Sequence, residues 1–195
     1  PPMNRRMIIN SVGLVLRVEA ALLLLPAAVG MLYGEKQTLI AFLISAAISL
    51  LLGLLPKLFL KPKTHVIYAK EGFIIVAFTW IMLSLVGAVP LVLAGAVTSY
   101  ADAFFEIVSG FTTTGSSVIP DVEVLSHGAL FWRSFTHWVG GMGIIVFVMA
   151  ILPNVSERPI HILRAEIPGP TVGKLVPRIK DTALILYLIY IVMTV

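Results

Sequence analysis

The sequence predicts an all-α integral membrane protein in which a two-helix hairpin precedes a span, a half-length helix and a further span. Three observations predict it. Only 12% of the 195 residues are charged while 58% are hydrophobic, about half the charged share of a soluble domain. The apolar residues gather in runs of bilayer-crossing length separated by short polar turns. Between the third and fourth runs lies a stretch, 101–117, too short to cross a bilayer, which ends in Ser109-Gly110-Phe111-Thr112-Thr113-Thr114-Gly115-Ser116-Ser117.

In order, the first span covers residues 7–32 after Arg5 and Arg6. It is long for a signal segment and no small-residue cleavage site follows, so it reads as retained. The turn Tyr33-Gly34-Glu35-Lys36 leads to a second span, 38–60, and a third covers 72–96. The fourth, 128–152, is stopped by Pro153. A polar stretch with several prolines, 154–180, precedes a last apolar run, 182–195. That run is too short to span, which leads to the expectation that the chain is the front part of a longer polypeptide. Three segments result: the hairpin 1–66, the span–half-helix–span unit 67–153, and a linker with the start of another unit, 154–195.

Lys and Arg set the orientation. Arg5, Arg6, Lys57, Lys61, Lys63, Lys70, Arg158, Arg164, Lys174, Arg178 and Lys180 all fall on one side, which the positive-inside rule makes cytoplasmic, the N-terminus included. The other side has Lys36, then Asp102, Glu106, Asp121 and Glu123. The half-helix therefore enters from outside through an acidic vestibule that concentrates cations.

Several classes are excluded. The net charge of +4 comes from loop residues that report topology, with no aromatic-interleaved basic patch for nucleic acid. Without cysteine there is no disulfide, thiolate catalysis or Cys-based metal site. His65, His127, His137 and His161 lack metal-ligand spacing, and the spans hold no nucleophile–base pair apart from the nearby interfacial His137, so no enzyme is expected. Gly140, Gly141 and Gly143 lie inside a span with no preceding strand, so they are no dinucleotide fingerprint. Small residues there let helices pack closely, and Gly141 is carried as a filter-support or gating position. Arg17 and Glu19 interrupt the first run. Two apart, they do not face each other on a helix, and a tilted helix would place them near an interface or against a neighbour.

The half-helix carries the functional argument. A helix of roughly ten residues rises about 15 Å, half of the hydrocarbon core. The backbone that follows is irregular, tolerated at that depth only when buried in protein or lining a water-filled cavity. Ser99 can cap the helix, with Asp102 three residues on as a weak capping box. Phe104, Phe105, Ile107, Val108 and Phe111 would anchor it. Its inward C-terminal end carries about half a negative charge, which favours a cation. Thr113, Thr114, Gly115 and Ser116 follow directly. Gly115 permits a positive φ, letting carbonyls turn toward one axis as they do in K⁺ filters. Arg133, near the outer end of the fourth span, either snorkels to the interface or holds Glu106 or another vestibule carboxylate and braces the strip. The strip could instead be a plain outer loop, or belong to a secondary carrier with broken helices binding a solute or cation at the midplane. A purely structural membrane subunit is a further alternative.

Three stretches give this pattern a family. Ala103-Phe104-Phe105-Glu106 leading to Thr113-Thr114-Gly115, then Phe131-Trp132-Arg133, then His137-Trp138-Val139-Gly140-Gly141-Met142-Gly143-Ile144-Ile145 resemble one pore unit of the Trk/Ktr/HKT superfamily of potassium transporters. The likeness is nearest its TrkH branch, which also has the extra hairpin in front. The resemblance implies four such units in one chain, arranged as a K⁺-channel-like pseudo-tetramer around a single pore. This chain would hold one unit and the opening of a second. It implies that Thr113, Thr114, Gly115 and Ser116 are this unit's part of the K⁺ filter, with Thr113 and Thr114 as the K⁺ ligands. The strip keeps only the first threonine and central glycine of Thr-Val-Gly-Tyr-Gly, which implies weaker selectivity over Na⁺. Also implied are K⁺ uptake across the bacterial cytoplasmic membrane without a cofactor, a homodimer of the full-length chain in the lipid bilayer, and a cytosolic nucleotide-binding regulatory subunit. The basic linker around Pro168-Gly169-Pro170 would face that subunit, and the family's gating loop belongs to a later unit.

Overall fold

A computed structural model describes residues 5–59, 69–151 and 179–194. Seven α-helices occupy them: α1 (Arg5–Leu22), α2 (Leu24–Leu32), α3 (Lys36–Phe59), α4 (Ala69–Leu93), α5 (Tyr100–Phe111), α6 (His127–Ile151) and α7 (Ile179–Thr194), with one 3₁₀ turn at Val122–Val124. No strand occurs among the described residues. Three stretches there are long and apolar enough to cross a membrane: Arg5–Leu32, Lys36–Phe59 and Glu71–Leu93. The linker 154–178, with its basic residues and His161, lies outside the described residues, as do Lys61, Lys63, His65 and the stop at Pro153.

Two expected spans prove discontinuous. The first breaks at Leu23, between α1 and α2. Pro26 explains it: proline has no N–H for the Leu22 carbonyl, and its ring crowds that oxygen. The fourth, α6, is split by Gly143, whose φ of 68° and ψ of 144° are not helical. Only glycine adopts such a backbone readily.

One large apolar cluster runs through the hairpin and the unit after it, with a smaller one at Met7, Ile8 and Ile75. Leu23, Phe42, Ala88, Leu91, Ala103, Ile107 and Trp132 are essentially fully buried within the large one. Where α1 crosses α3, a Cβ on Gly13 would stand only 3.0 Å from the Gly53 carbonyl oxygen, so the two backbones approach as small residues allow. The outer rims of α3 and α7 are apolar and exposed, including Ile44, Leu51, Leu58, Leu184 and Leu188, the pattern of surface in contact with lipid or further helices. Trp138 of α6 meets Tyr190 of α7 with ring centroids 5.5 Å apart.

Glu35, in the turn between α2 and α3, clasps the hairpin to α6. Its Oε1 accepts from the His127 backbone N–H and lies 2.8 Å from His127 Nδ1, while Oε2 accepts from the Gly128 N–H at 3.2 Å. Tyr33 stacks on the His127 ring at 3.8 Å. Partial burial pushes the Glu35 carboxyl up, but the His127 and Gly128 hydrogen bonds and the His127 charge outweigh it and hold the group below the usual carboxylate range.

Candidate functional site

The half-helix α5 begins as its sequence dictates. Ser99, in extended conformation, accepts from the Ala101 N–H at 3.2 Å, a side-chain N-cap. The Tyr100 hydroxyl donates to the Leu85 carbonyl at 2.6 Å, tying that end to α4. The expected return bond from Asp102 does not form among the described residues.

At the other end, Phe111 is 3% exposed, boxed between Trp80 of α4, 5.7 Å away, and Trp132 of α6, 6.5 Å away. The Trp132 indole N–H donates to the Gly87 carbonyl at 2.9 Å. Gly140 of α6 packs directly on the Phe111 carbonyl, which any Cβ there would overlap. These contacts fix the depth at which α5 stops.

It stops in a Schellman motif. The Thr114 N–H reaches the Ser109 carbonyl and the Thr113 N–H the Gly110 carbonyl, both at 2.9 Å. The residue at the left-handed position is Thr113, with φ 55°. Glycine normally occupies that place, and a β-branched residue there is strained. Gly115 follows with φ 76°. Sequence reasoning found the second positive φ and missed the first, because threonine gives no local sign of it.

Residues 112–118 are exposed on one side and bonded on the other. Ser109 Oγ donates to the Ser116 carbonyl at 2.6 Å. Glu106, with no exposed surface, collects the rest on α5: its Oε1 accepts from the Ser117 hydroxyl, from the Val118 N–H at 2.7 Å and from the Ile119 N–H at 3.3 Å. Its Oε2 accepts from Arg133 Nε at 3.0 Å. The Arg133 side chain is 16% exposed, turned inward rather than out to the interface. Thr112 Oγ1 donates to the Val108 carbonyl at 2.7 Å, so the 2.8 Å contact between the two hydroxyls is donated by Thr114. Among the described residues, no hydrogen bond reaches the carbonyls of Thr113, Thr114 or Gly115.

Of the site residues read from sequence, Thr113, Thr114, Gly115 and Ser116 form one continuous strip, and Glu106 and Arg133 meet behind it. A Cβ on Gly141 would meet the Tyr190 ring of α7, so that face of the glycine looks to α7. Ser109 and Ser117 have no role in the sequence reading. Their place, Ser109 one turn from Glu106 on the same helix and Ser117 two residues after Gly115, is a signal of a brace. Among the described residues, no His/Asp/Glu cluster suits a metal ion of the usual protein-ligated kind.

Membrane-length helices, a half-helix ending at buried depth and a braced strip of bare carbonyls define the class: a polytopic membrane protein with a helix that stops partway and continues as irregular backbone. The chain belongs to the TrkH family of cation transport proteins, whose profile matches residues 38–195. It is 37% identical over 195 residues to the Trk system potassium uptake protein TrkH of Halomonas elongata, covering 99% of this chain and 40% of that one. The TrkH of Escherichia coli K12 is 36% identical over the same length and share. The crystal structure of the potassium transporter TrkH from Vibrio parahaemolyticus matches with a TM-score of 0.76 at 35% identity, over 97% of this chain and 37% of that chain. The chain thus spans about 40% of the length of these curated relatives. The family resemblance and the all-α membrane architecture expected from sequence are both confirmed, and the family is one of transporters, not enzymes.

Proposed function

We propose that the chain contributes one of four filter segments to a K⁺ uptake pathway, with the carbonyls of Thr113, Thr114 and Gly115 as ligands for the dehydrated ion. One observation carries this: a strip held from behind by Glu106 and Ser109, open on its other face, with those three carbonyls unbonded among the described residues. Alternating backbone handedness at Thr112, Thr113 and Gly115 brings successive carbonyls toward one side, which an extended strand does not do. Such oxygens replace the hydration shell of K⁺. The Ser116 carbonyl spends one lone pair on Ser109 and keeps one for the ion, so it acts mainly as the anchor of the strip.

The names of the relatives, Trk system potassium uptake proteins, support K⁺ as the cargo. Three further units, supplied by the rest of the full-length polypeptide, would close the pseudo-tetramer around the strip. The complete protein would sit in the bacterial cytoplasmic membrane with its N-terminus inside, as a homodimer, and meet a nucleotide-binding regulatory subunit on its cytosolic face. Glu106 and Arg133 would keep the filter in shape, and Gly141 would serve as the joint to the next unit through Tyr190.

The test is Gly115→Ala in the complete polypeptide, read by K⁺ and Na⁺ flux into proteoliposomes. A Cβ at Gly115 has nothing within 4 Å, so only backbone strain of about 1–2 kcal/mol opposes it. The protein should assemble, with its K⁺ over Na⁺ preference reduced. An assembled variant with unchanged preference would refute the filter assignment.

A further inference from the structure

Glu19 of α1 is expected near an interface or against a neighbour; it is 2% exposed, and its side chain is bonded only to Ser49 of α3 among the described residues. It makes no ion pair there. Arg17, two residues back, turns its Nε to the Gly13 carbonyl at 3.3 Å. On the half-helix and α6, Glu106 and Arg133 are committed to each other. Glu19 Oε1, Ile107 of α5 and Trp132 of α6 all converge within 3.4 Å of the point where a Cβ on Gly87 of α4 would be.

Ser49 has two oxygens within reach and one hydrogen to give. Ser49 Oγ lies 2.8 Å from the Leu16 carbonyl and 3.0 Å from Glu19 Oε2. The serine has one hydroxyl hydrogen, and a carbonyl can only accept. If that hydrogen goes to Leu16, the nearer oxygen, the second contact holds only when the carboxyl supplies a hydrogen of its own. The other carboxyl oxygen, Oε1, is buried with no hydrogen-bond partner among the described residues and stands 3.2 Å from the Gly87 Cβ position. An ionised carboxylate would leave bare charge there in apolar surroundings, which is far costlier than one unmet neutral acceptor.

We infer that Glu19 is a proton-binding site inside the membrane: a neutral carboxylic acid whose Oε2–H donates to Ser49, which donates to the Leu16 carbonyl. It is a positioning residue. The relay fastens α1 to α3 at the place where the hairpin meets Ile107 on the buried side of α5, and it is independent of which ion passes the strip.

Infrared spectroscopy of the complete polypeptide in lipid tests this directly. The wild type should show a protonated-carboxyl C=O band above the amide envelope that Glu19→Gln abolishes, and Ser49→Ala should shift that band without removing it. Glu19→Gln should accumulate and transport like the wild type, because its amide N–H₂ replaces the neutral donor. No band assignable to Glu19, or no shift in Ser49→Ala, would overturn the inference. So would a Glu19→Gln protein that fails to accumulate, since loss of a charge would then be what matters.

Discussion

Arg133→Ala is the sharpest probe of the brace behind the strip. The Glu106 side chain has no exposed surface and that of Arg133 is 16% exposed, with Nε and Oε2 3.0 Å apart. Removing one partner of a buried pair costs about 3–5 kcal/mol, because the other charge is left uncompensated. Here Glu106 keeps three donors on Oε1, from Ser117, Val118 and Ile119, so the loss should fall near the lower end, about 3 kcal/mol. The two oxygens divide the labour: Oε1 holds the chain after the strip, and Oε2 is held from α6. Freed from Arg133, the carboxylate can turn toward water and take Val118 and Ile119 with it. Thermal unfolding of the complete polypeptide in detergent should therefore drop, and proteoliposome flux should lose K⁺ over Na⁺ preference. A double-mutant cycle with Glu106→Gln isolates the pair, and the double variant should lose less than the two single losses added together. Additive losses with an unchanged ion preference in Arg133→Ala would refute the reasoning.

Gly140→Ala should destabilise the fold by about 3 kcal/mol or more, beyond the ordinary cost of overpacking, because the added methyl meets the Phe111 backbone carbonyl rather than a movable side chain. Gly141→Ala meets only the outer end of Tyr190 and should cost less; equal unfolding midpoints for the two would contradict the packing described. The Glu35 clasp predicts an acid dependence. Its folded-state carboxyl lies below the ordinary value, so its stabilisation is complete above the unfolded value of about 4.3 and is lost as pH falls through the lower folded value. Unfolding midpoints measured across that acid range should fall less steeply in Glu35→Gln than in the wild type, and identical slopes would rule the clasp out.

The amino-acid sequence by itself determined the membrane class, the half-helix with its Ser99 cap, and the family, because hydropathy runs, capping residues and the Thr-Thr-Gly strip are local patterns readable in one dimension. It also narrowed Arg133 to two fates, with Glu106 among the vestibule carboxylates it could hold in one of them. Only the tertiary structure decided the rest. It turned Arg133 inward, put Thr113 in a left-handed backbone, set Ser109 and Ser117 behind the strip and buried Glu19 against Ser49. The breaks at Leu23 and Gly143 belong to both levels: Pro26 and the glycine are visible in the sequence, but a proline or glycine in a membrane helix bends it only where neighbouring helices accept the bend. The common reason is that a buried polar group must find a partner. Which partner depends on residues 30 positions away on another helix, as Ser49 is from Glu19, and no local pattern encodes that choice.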